Sequence, residues 1–106
     1  IPVEDDAMEY LTEKYPYLNE TVIPANSYSI DTDVPALNIT NALIVNKNLT
    51  VDDVYEITKT IYENLDQLVD AHSAAKDIKL DRATEGLSIP LHPGAEKYFK
   101  EVGVLE

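Results

Sequence analysis

Two histidines, an Asp-Thr-Asp triplet, Ser73 and Ser88, and a scatter of amides are the side chains of this chain that come first into question for chemistry. His72 and His92 are the only imidazoles, and a metal held by the pair would need a third ligand from the abundant acids. Neither histidine stands in a recognised ligand spacing, so no metal is expected. Asp31-Thr32-Asp33 opens like a calcium loop, but Pro35 follows where a further ligand belongs, and the required glycine and closing glutamate are missing. It reads as a polar turn. Ser73 and Ser88 have no adjacent base and no G-x-S-x-G elbow, so nucleophilic catalysis has no positioned partner. A hydrolase built on His92 and a carboxylate rests only on the general acid-base capacity of an exposed imidazole. Sequons at Asn19, Asn38 and Asn48 are expected by chance in a chain with this many Asn and Thr residues.

The amides carry more. Asn38, Thr40 and Asn41 interrupt a stretch from Pro35 to Lys47 that otherwise supplies strand formers, with near-continuous apolarity from Ala42 to Val45. That density predicts a central strand covered on both faces. Polar groups on such a strand must find hydrogen-bond partners, either structural backbone groups or a ligand in a cleft. Asn38 and Asn41 are ligand candidates on that argument.

Elements to position these residues can be read on either side. Glu4, Asp5 and Asp6 place acids where a first helical turn favours them, Met8, Leu11 and Tyr15 supply a buried stripe, and Pro16 stops the helix. Ile1 to Val3 reads as the tail of a strand, and Thr21 to Pro24 as short and extended. Asn26, Ser27, Ser29 and Asp31 around Tyr28 have loop composition. Thr50 is a good N-cap, with Asp53 three residues on, and Val54, Ile57, Ile61, Leu65 and Leu68 recur at helical spacing to about His72. A short second helix or a helical turn is expected over Ala71 to Ala75, and another between Asp81 and Gly86. The closing phrase I-P-L-H-P-G-A-E-K-Y-F-K-E-V-G-V-L-E holds a rigid turn, a helix started by Pro93 and stopped by Gly103, and an apolar face of Tyr98, Phe99 and Val102. His92 there is a turn residue between two prolines.

Composition bounds the partners. A chain of 106 residues is a single domain or a fragment of one, able to bury about two thirds of its unfolded surface. Acids outnumber bases 20 to 8, for a net charge of −12, which excludes nucleic acid and argues against an anionic membrane surface. Without cysteine there is no disulfide frame and no thiolate zinc site, and no apolar run reaches the ~20 residues that a membrane span needs. The chain starts at Ile1 without Met or an apolar leader, as a processed product, an engineered piece or part of a longer polypeptide would.

I-P-A-N-S-Y at Ile23 to Tyr28, N-L-T-V-D-D-V-Y-E-I-T-K at Asn48 to Lys59, the Y-P-Y of Tyr15 to Tyr17 and the P-L-H-P-G-A phrase together resemble one family. They are similar to the TAXI-type solute receptors of TRAP transporters, the TRAP-associated extracytoplasmic binding proteins, over essentially the whole chain. The resemblance implies an α/β fold, part of a type II periplasmic-binding-protein-like architecture with helices packed on a few strands. Such receptors need roughly 300 residues, two ordinary domains' worth, so the chain would be the C-terminal third. On this analogy Pro35 to Lys47 passes between the lobes, while the Thr50 helix and the C-terminal helix complete the first lobe.

Function follows as expectation: a periplasmic or otherwise extracytoplasmic binding protein, not an enzyme and without a cofactor. It would bind a small organic anion such as glutamate or a dicarboxylate and deliver it to TRAP permease subunits. Tyr28, the aromatic of I-P-x-x-x-Y, is the leading ligand contact, its hydroxyl placed to donate to a carboxylate and its ring to cover the ligand stem. The alternative is a small autonomous interaction domain whose acidic surface meets a basic partner. Strands stripped of sheet neighbours would pair between chains, so a homodimer of the fragment is also expected.

Overall fold

A computed structural model describes residues 2–106. It is a mixed α/β structure in two compact units, Ile1–Ala42 with Gly86–Ser88, and Leu43–Glu85 with Ile89–Glu106. Of the strand tail expected over Ile1 to Val3, Ile1 lies outside the described residues, and Pro2 and Val3 have no strand pairing of their own. Val3 nevertheless donates its N–H to the Pro35 carbonyl at 3.0 Å.

In the first unit, α1 (Asp5–Lys14) opens with Asp5 and Asp6 in its first turn and closes at Tyr15, whose N–H reaches Leu11. Pro16 follows and the helix cannot continue. Met8 is its buried residue, while Leu11 and Tyr15 are only half-buried. Strands β1 (Leu18–Ile23) and β2 (Val34–Ile39) form an antiparallel hairpin in the register Leu18↔Ile39 to Ile23↔Val34.

The expected strand from Pro35 to Lys47 is therefore half right. β2 stops at Ile39 because its ladder partner runs out: β1 begins at Leu18, directly after a turn in which Leu18 bonds back to Tyr15. Beyond Ile39 no strand pairs with the chain among the described residues. The Ala42 to Val45 run is irregular rather than covered on both faces, and Leu43 and Ile44 are each 72% exposed.

The second unit is organised by two helices, α2 (Val51–Glu63) and α4 (Pro93–Glu101). Thr50 caps α2 by accepting from the Asp53 N–H at 3.1 Å, and Thr58 returns its hydroxyl to the Val54 carbonyl. The long helix foreseen to His72 breaks at Asn64 (φ −125°, ψ 32°), and α3 (Leu65–Ala71) follows. Ser73–Asp77 forms a 3₁₀ turn where a short helix or a helical turn is expected, and Leu80–Arg82 forms a second in place of the helix expected from Asp81 to Gly86. Val54 and Thr58 are the buried residues of α2, and Gly94, Tyr98 and Phe99 those of α4, which packs on α2 with Gly94 close against Val54. Tyr62 stacks on Tyr98 (6.1 Å, 19°) and meets Phe99 edge-on (5.6 Å), while Tyr55 meets Tyr98 edge-on at 6.0 Å, geometries that aromatic quadrupoles favour.

Helix α4 has both ends secured. Pro93 takes the first helical position, Gly103 sits at φ 76°, Val104 bonds back to the Phe99 carbonyl at 2.8 Å and Gly103 to Lys100 at 3.2 Å. That pair of bonds is a Schellman stop.

Candidate functional site

The three ligand candidates all lie in the first unit, on or beside the hairpin. The β1–β2 connection carries Tyr28 at its tip, 90% exposed. Asn26, Tyr28 and Ser29 have φ of 70°, 48° and 60°, in the left-handed region that non-glycine residues enter at a cost. The loop's own bonds impose it: Asn26 N–H donates to Ile30 at 2.7 Å, Ile30 to Ser27 at 3.1 Å, and Ala25 N–H to the Asp33 carboxylate at 2.8 Å. Asp33, expected only as part of a polar turn, thus closes the loop that presents the tyrosine.

Asn38 sits at the other end of the ladder, opposite Asn19. Four residue steps from Val34 amount to roughly 13 Å along a strand, so the hairpin holds Tyr28 and Asn38 at opposite ends. The Asn38 Oδ1 is buried with no hydrogen-bond partner among the described residues. Its neighbour Asn19 donates instead to the Thr40 hydroxyl at 3.1 Å. Gly86, at φ 67°, closes on the same pair: a Cβ there would fall 2.6 Å from Asn19 Nδ2 and 2.8 Å from Thr40 Oγ1. Asn41 is exposed, past the end of β2. The structure thus groups Asn38 and Asn41 at the strand exit, adds Asn19, Thr40 and Gly86 to them, and leaves Tyr28 apart. Asn19 was visible in the sequence only as a sequon. Its role depends on the cross-strand register, which local composition does not encode.

Two surface grooves among the described residues do not collect these residues. In the first unit a hollow of about 360 Å³ is lined by Asp5, Met8, Glu20, Thr21, Val22 and Pro35. In the second, one of about 500 Å³ is lined by Leu80, Asp81, Val102, Gly103 and Val104. Their charged side chains are carboxylates, which repel an anionic ligand.

Both histidines are committed to the backbone. His92 is the N-cap of α4, its Nδ1 accepting the Gly94 N–H at 3.1 Å, and His72 accepts the Ala74 N–H at 3.2 Å in the same way. Tyr55 donates to Glu101 at 2.8 Å, and that bond is the main reason its hydroxyl is pushed up to about 12. The Lys97 ammonium lies 4.7 Å from the Tyr55 ring centre, a cation–π contact that ties α4 to α2. The histidine bonds cap helical turns, and the Tyr55 contacts join α2 to α4.

The amino-acid sequence matches the model of the NMT1-like family over residues 1–103. The chain belongs to the NMT1-like family. The NMT1-like family is linked to periplasmic solute-binding proteins and is typically extracytoplasmic, so the expected solute-binding character holds at that level. No helix among the described residues of this NMT1-like chain is long and apolar enough to cross a membrane.

Proposed function

We propose that the chain is the C-terminal part of a TAXI-type receptor that binds a small organic anion, glutamate or a dicarboxylate, and hands it to a TRAP-type permease. The observation that carries this reading is the NMT1-like match across residues 1–103, with the I-P-x-x-x-Y and P-L-H-P-G-A phrases inside it. Binding rather than catalysis is supported by the two imidazoles, whose Nδ1 atoms already serve as helix caps. Neutral donors can hold an anion by hydrogen bonds, and a phenol and primary amides are such groups. Tyr28 presents its hydroxyl on a loop fixed by internal bonds, and Asn41 stands exposed at the strand exit. Asn38 is the third candidate, its unpartnered Oδ1 able to accept from a ligand ammonium or hydroxyl. In such a receptor the ligand closes the protein by favouring a closed population.

The test is calorimetric titration of the full-length parent with glutamate, 2-oxoglutarate and C4-dicarboxylates. Silence across that panel and a wider amino-acid panel sinks the reading. Because the ladder separates Tyr28 from the amides, one small anion engages one end, and Tyr28→Phe and Asn41→Ala tell which. A hydrogen bond to a charged group contributes about 1.5–3 kcal/mol, so the variant at the true end should weaken binding by about tenfold or more. Unchanged affinity removes that residue from the site.

A further inference from the structure

The loop that presents Tyr28 carries two exposed carboxylates, Asp31 and Asp33, and each repels the anion that the tyrosine hydroxyl would meet. They differ in one respect. Asp33 accepts the Ala25 N–H at 2.8 Å, eight residues back, whereas Asp31 has no side-chain hydrogen bond among the described residues. The β1–β2 ladder ends at Ile23↔Val34, so the bond from Ala25 to Asp33 clamps the loop at its base. It is the only side-chain bond within the loop among the described residues; the others are backbone bonds, Ser27 to Pro24, Asn26 to Ile30 and Ile30 to Ser27. Inside the clamp Asn26, Tyr28 and Ser29 hold φ of 70°, 48° and 60°. Asparagine tolerates that region, but tyrosine and serine each enter it against odds of about 5–30 to one. Without the clamp the loop would spread over helical and extended backbone, and the phenol would point elsewhere.

We propose that Asp33 is a positioning residue for Tyr28: through the Ala25 N–H its carboxylate holds the loop in the conformation that offers the phenol to an anion. This rests on the reading of Tyr28 as an anion contact given above. Asp33 makes no contact with the anion itself. A receptor whose binding-competent loop is only partly populated binds more weakly by that fraction, so ordering the loop raises affinity without a new contact. The charge of Asp33 opposes the ligand, and the order it imposes outweighs that repulsion. Charge and order therefore act with opposite signs, which lets one experiment separate them.

The full-length parent is titrated calorimetrically with glutamate, 2-oxoglutarate and C4-dicarboxylates as Asp31→Ala, Asp33→Ala and Asp33→Asn. Loss of a carboxylate alone strengthens anion binding, so Asp31→Ala should bind as tightly as the parent or more so. Asp33→Ala loses the same charge together with the clamp, and should bind about three- to tenfold more weakly, the range of one hydrogen bond. Asp33→Asn keeps an Oδ1 acceptor and should restore the parent's affinity. On a Tyr28→Ala background Asp33→Ala should cost less than about twofold more, because the ring it positions is gone. Hydrogen exchange over residues 24–33 of the ligand-free parent should quicken in Asp33→Ala and not in Asp33→Asn. An Asp33→Ala protein that binds like Asp31→Ala, or loses affinity equally with and without Tyr28, overturns the proposal. Unchanged exchange beside a weakened Tyr28→Ala shows that the clamp alone has failed. Quickened exchange beside a Tyr28→Ala protein that binds like the parent shows instead that the Tyr28 contact has failed, and the positioning role falls with it.

Discussion

Replacing Gly94 with alanine tests whether α4 docks on α2 through backbone-to-backbone contact. Gly94 is a buried residue of α4, and a Cβ there would overlap the Val51 carbonyl oxygen while lying 2.7 Å from the Tyr55 amide nitrogen and 2.8 Å from Val54 Cβ. Non-bonded heavy atoms rest at about 3.5–4.0 Å, so the helix must retreat by roughly 1 Å. Two of the three obstructing atoms belong to the α2 backbone and cannot rotate aside. Alanine regains up to about 1 kcal/mol of helix propensity over glycine, whereas overpacking of this kind costs about 1–3 kcal/mol. The upper end applies because the retreat also loosens Tyr98 and Phe99, each only 4% exposed. The net loss is about 2 kcal/mol, or roughly 8–16 °C in midpoint for a domain of this size. Thermal unfolding followed by far-ultraviolet dichroism, with the near-ultraviolet tyrosine signal as a probe of the aromatic cluster, measures it. Gly103→Ala is the control: its φ of 76° disfavours alanine but nothing lies within 4 Å, so only the backbone term of about 1 kcal/mol remains. A Gly94→Ala protein that melts at or above the parent, or no lower than Gly103→Ala, refutes the reasoning.

Thr50→Ala removes the acceptor for the Asp53 N–H and should cost about 1 kcal/mol, with Thr50→Ser restoring most of it in the same melt. Glu101→Gln removes the carboxylate that receives the Tyr55 hydroxyl, and the Tyr55 ionisation, followed by NMR of its ring carbons, should fall from about 12 toward 10.0. The raised value means that the folded state holds the proton longer than the unfolded chain, so the bond's contribution is complete below pH 10.0 and is lost as pH rises toward about 12. In Glu101→Gln the stability curve should flatten over that interval.

The sequence was most legible where a residue type has one conformational use. Pro93 at a helix start, Gly103 at a stop and Thr50 as a cap each stand where their chemistry requires, since φ limits and capping oxygens act over a few bonds. His92 follows the same logic, and its place between two prolines becomes a cap on the Gly94 N–H. Legibility fell where burial depends on distant chain. Ile57 and Leu68 fit the apolar period of the long helix but stand 40% and 37% exposed, whereas Thr58 is buried. The face of α2 was decided by where α4 lands, and Gly94 sets that landing by touching the α2 backbone. The break at Asn64 likewise has no proline or glycine to announce it.

The candidate site divides along the same line. Tyr28 was found by a phrase, and what the structure adds is a loop whose own bonds force three non-glycine residues to positive φ and hold the ring in solvent. Asn38 was found as an amide in an apolar strand, a conflict that had to be resolved by a partner. The hairpin register explains why it is not resolved within the described residues. The amide opposite it, Asn19, donates to Thr40, and Gly86 lies so close to that pair that a Cβ there would push their side chains aside. An acceptor left bare beside a satisfied pair costs about 1–3 kcal/mol, so Asn38→Leu separates the two remaining accounts. If the amide serves only the fold, removing the bare acceptor leaves stability level or higher and ligand affinity untouched. If it serves a ligand, stability is likewise kept but affinity falls.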